Sequence, residues 1–389
     1  GDPGCPLAVN LYGHPLAGLI WEKWCRDQLI KEGFEHVPGW ECLYVNRKSR
    51  IFLSVYVDDF KASGDREQIA KLYDRLKKSI NLDPPVDFHE SVYLGCEQRD
   101  VTIPPSVIIE NSQFVSRLID TSKWENAPEM FRNAATKTSK NPPKVRGFEY
   151  RMVGHAQQSV ERYCELANMT VKDLRNVATP CIDDHLLPPE DMVTAGALTP
   201  VAARIVLKAL YLARLGRPEL LWAVNSLARL VTKWTVACGK RLHRLLSYIH
   251  FHQNDVITSY VGDPAHLTYL MMFSDASFAG DLVDSKSTTG GFLVLVGPHT
   301  WCPITWMCKK HGAVSHSSSE AEIIALDACT RVEGLPALML WDLVISLFGD
   351  KSKLPKTKTT PATGLGVLTD IRGLFDVDFV APSIRTSSG

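Results

Sequence analysis

Apolar residues recur with a helical period from Leu19 to Glu32, and Gly33 supplies a stop. A short segment, Glu41 to Asn46, leads through the polar turn Arg47-Lys48-Ser49-Arg50 into the apolar run Ile51-Phe52-Leu53-Ser54-Val55-Tyr56-Val57. That run's length and its β-branched and aromatic content predict a buried strand. Ile69, Leu72, Leu76 and Ile80 share one face of a helix predicted over 68–80, with Lys71, Arg75 and Lys78 beside them. From Pro84 to about Pro200 the periodicity weakens, and Asn141-Pro142-Pro143 and Leu187-Pro188-Pro189 read as joints. Helices are then predicted over 202–215 and 219–230, broken at Gly216-Arg217-Pro218, and over 239–251. Beyond Pro264 the texture becomes strand (267–273), strand (290–296) and strand (301–307), each set off by a turn. A helix opening at Ser317 follows, and later a short apolar strand ending in Val367-Leu368-Thr369-Asp370. Strands and helices are mixed throughout, so the predicted class is α+β or α/β.

Length and composition narrow this picture. The chain has 389 residues, enough for two or three domains, and its 45% hydrophobic and 22% charged content is that of a globular protein. Apolar stretches such as Leu335 to Leu340 fall well short of the roughly 20 residues a membrane span needs. No secretory signal opens at Gly1-Asp2-Pro3-Gly4, which leads us to expect an intracellular protein of the cytoplasm or nucleus. With no initiator Met, the chain is expected to be a piece of something longer. Ten cysteines are scattered without a Cys-x-x-Cys pair; Cys302 and Cys308 stand too isolated for a zinc site, and reduced thiols used as small hydrophobes are expected. A net charge of zero argues against a pure nucleic-acid-binding module, but not against an enzyme with local basic groups and metal-holding carboxylates.

The sharpest local signal is Tyr56-Val57-Asp58-Asp59. Adjacent carboxylates repel one another unless a cation sits beside them, and a hairpin presenting both Asp58 and Asp59 to Mg²⁺ would supply one. The bland alternative is that Asp-Asp merely begins a polar turn. A second constellation joins Asp275 at a strand end, Glu320 at a helix start and Asp370 at another strand end. Carboxylates from separate elements can converge on two metal ions about 4 Å apart, the clamp for phosphodiester hydrolysis. Here too each residue has a plain use. Ser317-Ser318-Ser319-Glu320 is a capping box, and the two Asp residues suit turns. Arg229, Lys233, Lys240, Arg241, His243 and Arg244 could track a phosphate backbone or form a solvated helix face, and Trp222 and Trp234 read as packing residues.

In combination these segments resemble copia-type retrotransposon polyproteins. Leu11-Tyr12-Gly13, Trp21, the Tyr-x-Asp-Asp segment, Glu90-Ser91-Val92-Tyr93-Leu94-Gly95 and Leu212-Ala213-Arg214 resemble the back of their reverse transcriptase. So do Arg217-Pro218-Glu219 and Ala223-Val224-Asn225. Asp275-Ala276, Asp284 to Gly290, Trp306 to Lys310 and Ser317 to Glu322 resemble their RNase H domain. The resemblance implies a partial reverse transcriptase palm over 1–105, an irregular linker or thumb-like region over 106–200, a helical connection over 201–262 and an RNase H-like mixed sheet over 265–389. It also implies Mg²⁺ or Mn²⁺ held by Asp275, Glu320 and Asp370 in the nuclease and by Asp58 and Asp59 in the polymerase. RNA–DNA hybrid, other nucleic acid and other polyprotein segments are the implied partners, with no membrane. Two departures matter. At the third carboxylate this chain has Asp370-Ile371-Arg372-Gly373-Leu374 where the family shows Asp-Asn-x-x-Ala, with Asp376 and Asp378 as competitors, and no further acidic or His segment follows before Gly389. Only Asp2 and Asp27 precede Asp58, and neither lies on a predicted strand, so the polymerase site is expected to be incomplete. The alternative is a decayed or repurposed element that binds nucleic acid without catalysis.

Overall fold

The first predicted helix forms as α1, Ala17–Lys31, and the last turn hands over to Gly33, whose φ of 81° is open to glycine. The computed structural model describes residues 13–90, 92–121, 144–281, 284–349 and 365–368, the side chains of 119–121 and 365–368 excepted. The chain divides into two compact units, one of residues 1–87 with Ser346–Phe348 and one of the remainder.

In the first unit an antiparallel sheet runs in the order β1 (Glu35–His36), β2 (Leu43–Asn46), β3 (Ile51–Tyr56), β4 (Asp59–Ser63). Helix α2 (Arg66–Leu76) follows, capped by Asp65, whose carboxylate accepts from the Gln68 amide at 3.1 Å. Leu29, Phe34, Ile51, Leu53, Leu72 and Ile80 form the core. The run predicted as a buried strand is buried on one face only. Ile51 and Leu53 point inward, while Tyr56 and Val57 are 50% and 63% exposed. A strand packed on one face must alternate, and an apolar run does not reveal which face is covered.

The second unit is organised by a sheet in the order β12-β9-β10-β11-β8-β7-β6-β5. Its strands are β5 (Val92–Tyr93), β6 (Cys96–Ile103), β7 (Val145–Arg151), β8 (Ile257–Val261), β9 (Tyr269–Ser277), β10 (Thr288–Gly297), β11 (Thr300–Lys310) and β12 (Leu365–Leu368). Neighbours are antiparallel except β12, which runs parallel to β9. The protein is therefore α+β. Divisions expected at 105, 200 and 262 fall inside this unit, because β6 and β7 join the same sheet as β8 to β11, with Phe148 opposite Ser259. β6 and β7 come from the stretch of weak periodicity. Their outward positions are charged and paired across strands, Arg146 donating to both oxygens of Asp100 at 3.1 and 2.7 Å. The Tyr93-Leu94-Gly95 segment is the β5–β6 hairpin, with Leu94 and Gly95 both at positive φ and the Leu94 carbonyl accepting from the Tyr211 hydroxyl at 2.7 Å.

Helices cover the sheet. Helix α3 (Pro105–Thr121) sets Ile108 and Val115 against Phe273, Val294, Val296 and Trp301. Helices α4 (Val153–Ala167), α6 (Ala202–Leu215), α7 (Leu221–Ala228) and α8 (Val236–Phe251), with the short α5 (Pro189–Val193), surround a second core that includes Val160, Ile205, Leu227 and Leu245. Two motif residues tie this layer to β11: Asn225 donates to the Cys308 carbonyl and the Trp306 indole to the Ala213 carbonyl, each at 3.0 Å. After β11 come α9 (Ser318–Cys329), a π-helical turn at Thr330–Gly334, and α10 (Leu335–Phe348). Among the described residues, no helix is long and apolar enough to cross a membrane. The described cysteines are free thiols, and burial pushes Cys25 up to about 11 and Cys329 up to about 12.

Candidate active site

Asp58 and Asp59 sit at the tip of the β3–β4 hairpin. Tyr56 pairs with Asp59, leaving Val57 and Asp58 as a two-residue loop. Such loops draw on positive φ, and Val57 adopts 57°, a conformation that costs a β-branched residue of order 1–3 kcal/mol. The Trp21 indole of α1 donates to the Val57 carbonyl at 2.7 Å and holds the turn. Trp21 was legible as part of a motif; its use as a brace was not, because it spans 36 residues. Both carboxylates are exposed. Asp27, the one earlier Asp described, lies on α1, and Asp2, Leu11 and Tyr12 lie outside the described residues.

The second constellation is built across elements. Asp275 lies near the end of β9, opposite Gly290, and is half-buried. Helix α9 reaches this strand end through small side chains. Ala321, Ala325 and Cys329, four residues apart, are fully buried. Gly291 of β10 faces them, and a Cβ there would come within 2.6 Å of Cys329 Sγ and 2.8 Å of Met307 Cγ. So close an approach lets Glu322 span to the sheet, where its Oε1 accepts from the Ala276 amide at 3.2 Å. Glu320 turns the other way. The Glu320 amide donates to Ser317 Oγ at 3.1 Å, and the Glu320 carboxylate accepts from the His316 amide at 2.6 Å. Glu320 therefore caps the helix, and Glu322 is the glutamate delivered to the Asp275 strand. The sequence held a signal for this: residues two apart on a helix project in nearly opposite directions, so only one can face the sheet.

Neighbouring motif residues have structural work. The Lys310 ammonium bridges Asp281 and Asp284, the latter at 2.8 Å, and holds the Asp284 carboxyl below the usual carboxylate range. His311, buried and bonded to Thr289 Oγ1 at 2.8 Å, has its pKa lowered by desolvation. Asp370 lies outside the described residues, as do Asp376 and Asp378. β12 ends at Leu368 opposite Phe273, two residues short of the level of Asp275. Among the described residues no group of three or more His, Cys, Asp or Glu side chains could hold a metal ion. The basic cluster on α8 is largely committed to its neighbours: Lys240 pairs with Asp191, Arg241 with Asp184, Arg244 donates to Thr179, and His243 meets the Tyr163 hydroxyl.

No protein-family model matches the chain, and no solved structure does. Curated relatives do. The chain is 25% identical over 322 residues to the retrovirus-related Pol polyprotein from transposon RE1 of Arabidopsis thaliana, covering 82% of this chain and 18% of that protein. It is 25% identical over 328 residues to a putative transposon Ty5-1 protein of Saccharomyces cerevisiae, covering 82% of this chain and 86% of the relative. An uncharacterised mitochondrial protein of Arabidopsis thaliana is 30% identical over 185 residues, 45% of this chain and 69% of its own length. The chain thus spans less than a fifth of the length of the RE1 polyprotein. It is homologous to retrotransposon Pol polyproteins.

Proposed function

We propose that this chain carries a ribonuclease H-type centre on β9 and α9, together with the Asp-Asp hairpin of a reverse transcriptase palm whose metal site is incomplete in this chain. One observation carries the reading. The Glu322 carboxylate accepts from the peptide that follows Asp275, so a carboxylate from α9 reaches the strand end that carries Asp275. Such hard donors suit Mg²⁺ or Mn²⁺, and Asp275, Glu322 and Asp370 are the residues that would hold it. Bound there, the metal would neutralise charge developing on a phosphodiester under attack. The chain's own part is positional. Small residues on α9 set the depth of Glu322, and the Ser317–Glu320 cap fixes where the helix starts. On this reading the family's glutamate role passes from Glu320 to Glu322, the RNA strand of an RNA–DNA hybrid is the substrate, and the first unit is the remaining part of a palm. Strands β1 and β2 carry no Asp to complement Asp58 and Asp59, which argues against nucleotide incorporation by this chain.

The test is cleavage of an RNA–DNA hybrid with Mg²⁺ or Mn²⁺, run beside nucleotide incorporation. Losing one metal-holding carboxylate removes several kcal/mol of transition-state stabilisation, so Glu322→Gln and Asp275→Asn are each expected to lower the rate about 100-fold or more. Glu320→Gln should lower it by less than about tenfold, since a lost cap costs only about 1 kcal/mol. Cleavage untouched by Glu322→Gln but abolished by Glu320→Gln would return the role to Glu320. Absence of any cleavage would favour a protein that binds nucleic acid without catalysis. Incorporation lost in Asp58→Asn would overturn the incomplete-palm reading.

A further inference from the structure

Helix α9, the π-helical turn and α10 run on from one another between Ser318 and Phe348. One side of α9 is buried, through Ala321, Ala325 and Cys329. The opposite side carries an exposed row at every fourth position: Ile323, Asp327, Arg331, Leu335 and Met339. Its apolar members, Ile323, Leu335 and Met339, are 64%, 46% and 55% exposed, and Ile324 and Val332 beside them are exposed as well. In an uninterrupted α-helix such a row advances about 40° round the axis at each step and winds away from any partner. The π turn at Thr330–Gly334 counters the drift, because its wider turn takes up an extra residue and keeps the row on one side. Exposed hydrophobic residues scattered singly mean little, but a continuous apolar row roughly 24 Å long marks a contact surface.

The order of the row specifies its occupant. Around Cys329 it reads apolar, acid, base, apolar at equal steps: Ile323, Asp327, Arg331, Leu335. That pattern is complementary to itself when reversed. A second copy laid antiparallel at the level of Cys329 sets its Leu335 against Ile323 and its Arg331 against Asp327, and the two-fold axis repeats both contacts. A parallel copy would oppose acid to acid and base to base. Within the chain the Arg331 guanidinium donates to the Asp327 carboxylate at 2.6 Å, and neither side chain makes another bond among the described residues. A guanidinium has five donors and a carboxylate about four acceptor sites, so both keep capacity for the second copy.

We infer that this row is the contact surface of an antiparallel two-fold dimer of the chain, with Ile323 and Leu335 as its apolar contacts and Asp327 and Arg331 fixing its direction. The inference is independent of the nuclease reading, and its test needs no catalysis. One helix pair falls well short of a standard interface of about 800 Å² per partner, so the expected dissociation constant is on the order of 10 μM.

The experiment is sedimentation equilibrium of the full chain from about 1 to about 200 μM, a range that brackets that constant. The mass should rise from that of one chain toward that of two. Leu335→Glu should hold it at one chain throughout. Asp327→Arg and Arg331→Asp each set like charges opposite one another twice, and each should weaken the dimer about tenfold or more. Both residues are exposed, so far-ultraviolet circular dichroism should stay unchanged. An equimolar mixture of those two variants, and the double variant that exchanges the charges, should each recover the parent's association. The mass of one chain at every concentration, as when another part of the chain covers the row, overturns the inference. So does a dimer indifferent to all three single variants, or one weakened by the two charge variants but recovered by neither the mixture nor the exchange.

Discussion

Asp58 and Asp59 come from adjacent positions of one hairpin, while Asp275 and Glu322 are 47 residues apart and come from a strand and a helix. The first pair is exposed, held by a strained Val57 and a single brace from Trp21. The second is half-buried on a strand whose preceding residues, Leu270 to Phe273, are at most 1% exposed. A turn can present neighbours in sequence with little support. Convergence from separate elements needs a packed scaffold, and the precision of the site then depends on residues that carry no chemistry.

The scaffold can be broken most severely at its centre. Phe273→Ala, two residues before Asp275 on β9, should cost about 3–5 kcal/mol by emptying a fully buried aromatic site, read as a fall in the urea midpoint. A loss below about 1 kcal/mol would mean that β9 is not the packed support described. Gly291→Ala comes next. Its Cβ meets Cys329 Sγ and Met307 Cγ, so α9 must retreat at a cost of about 1–3 kcal/mol, and Cys329→Ala in the same chain should recover part of it. Additive losses in that cycle would show that the helix is not held at this contact.

The hairpin responds more mildly. Trp21→Phe keeps the ring and removes the donor to Val57, with an expected loss of about 1 kcal/mol and faster amide exchange at the turn. Unchanged exchange would argue against the brace. The smallest effect concerns pH. Burial depresses the folded-state pKa of His311 below its ordinary value of 6.5, so the unfolded chain takes up the proton first. Its contribution is complete above pH 6.5 and is lost as pH falls below it. His311→Gln should therefore flatten the fall in stability on acidification through that window, measured by denaturation at stepped pH.

Much of the fold was legible because periodicity is local. The helices at 202–215 and 236–251, the β3–β4 turn and the strands β9 to β11 lie within a few residues of their predicted places. β6, β7 and α4 were not, since charged or small polar residues at their outward positions blur the pattern. The site was legible in outline: the motif named a serine-capped helix with two glutamates but could not say which faces the strand.

The sequence alone determined the strongly periodic elements, the Asp-Asp turn, the helix cap at Ser317 and the resemblance to retrotransposon polyproteins, because each depends on residues close in the chain. Tertiary structure decided that β7 pairs with β8 across more than 100 residues, that Glu322 rather than Glu320 reaches β9, and that Trp21 braces Val57. These outcomes turn on which faces meet when separate elements pack. A depth set by Gly291 and Cys329 exists only once the surfaces are in contact.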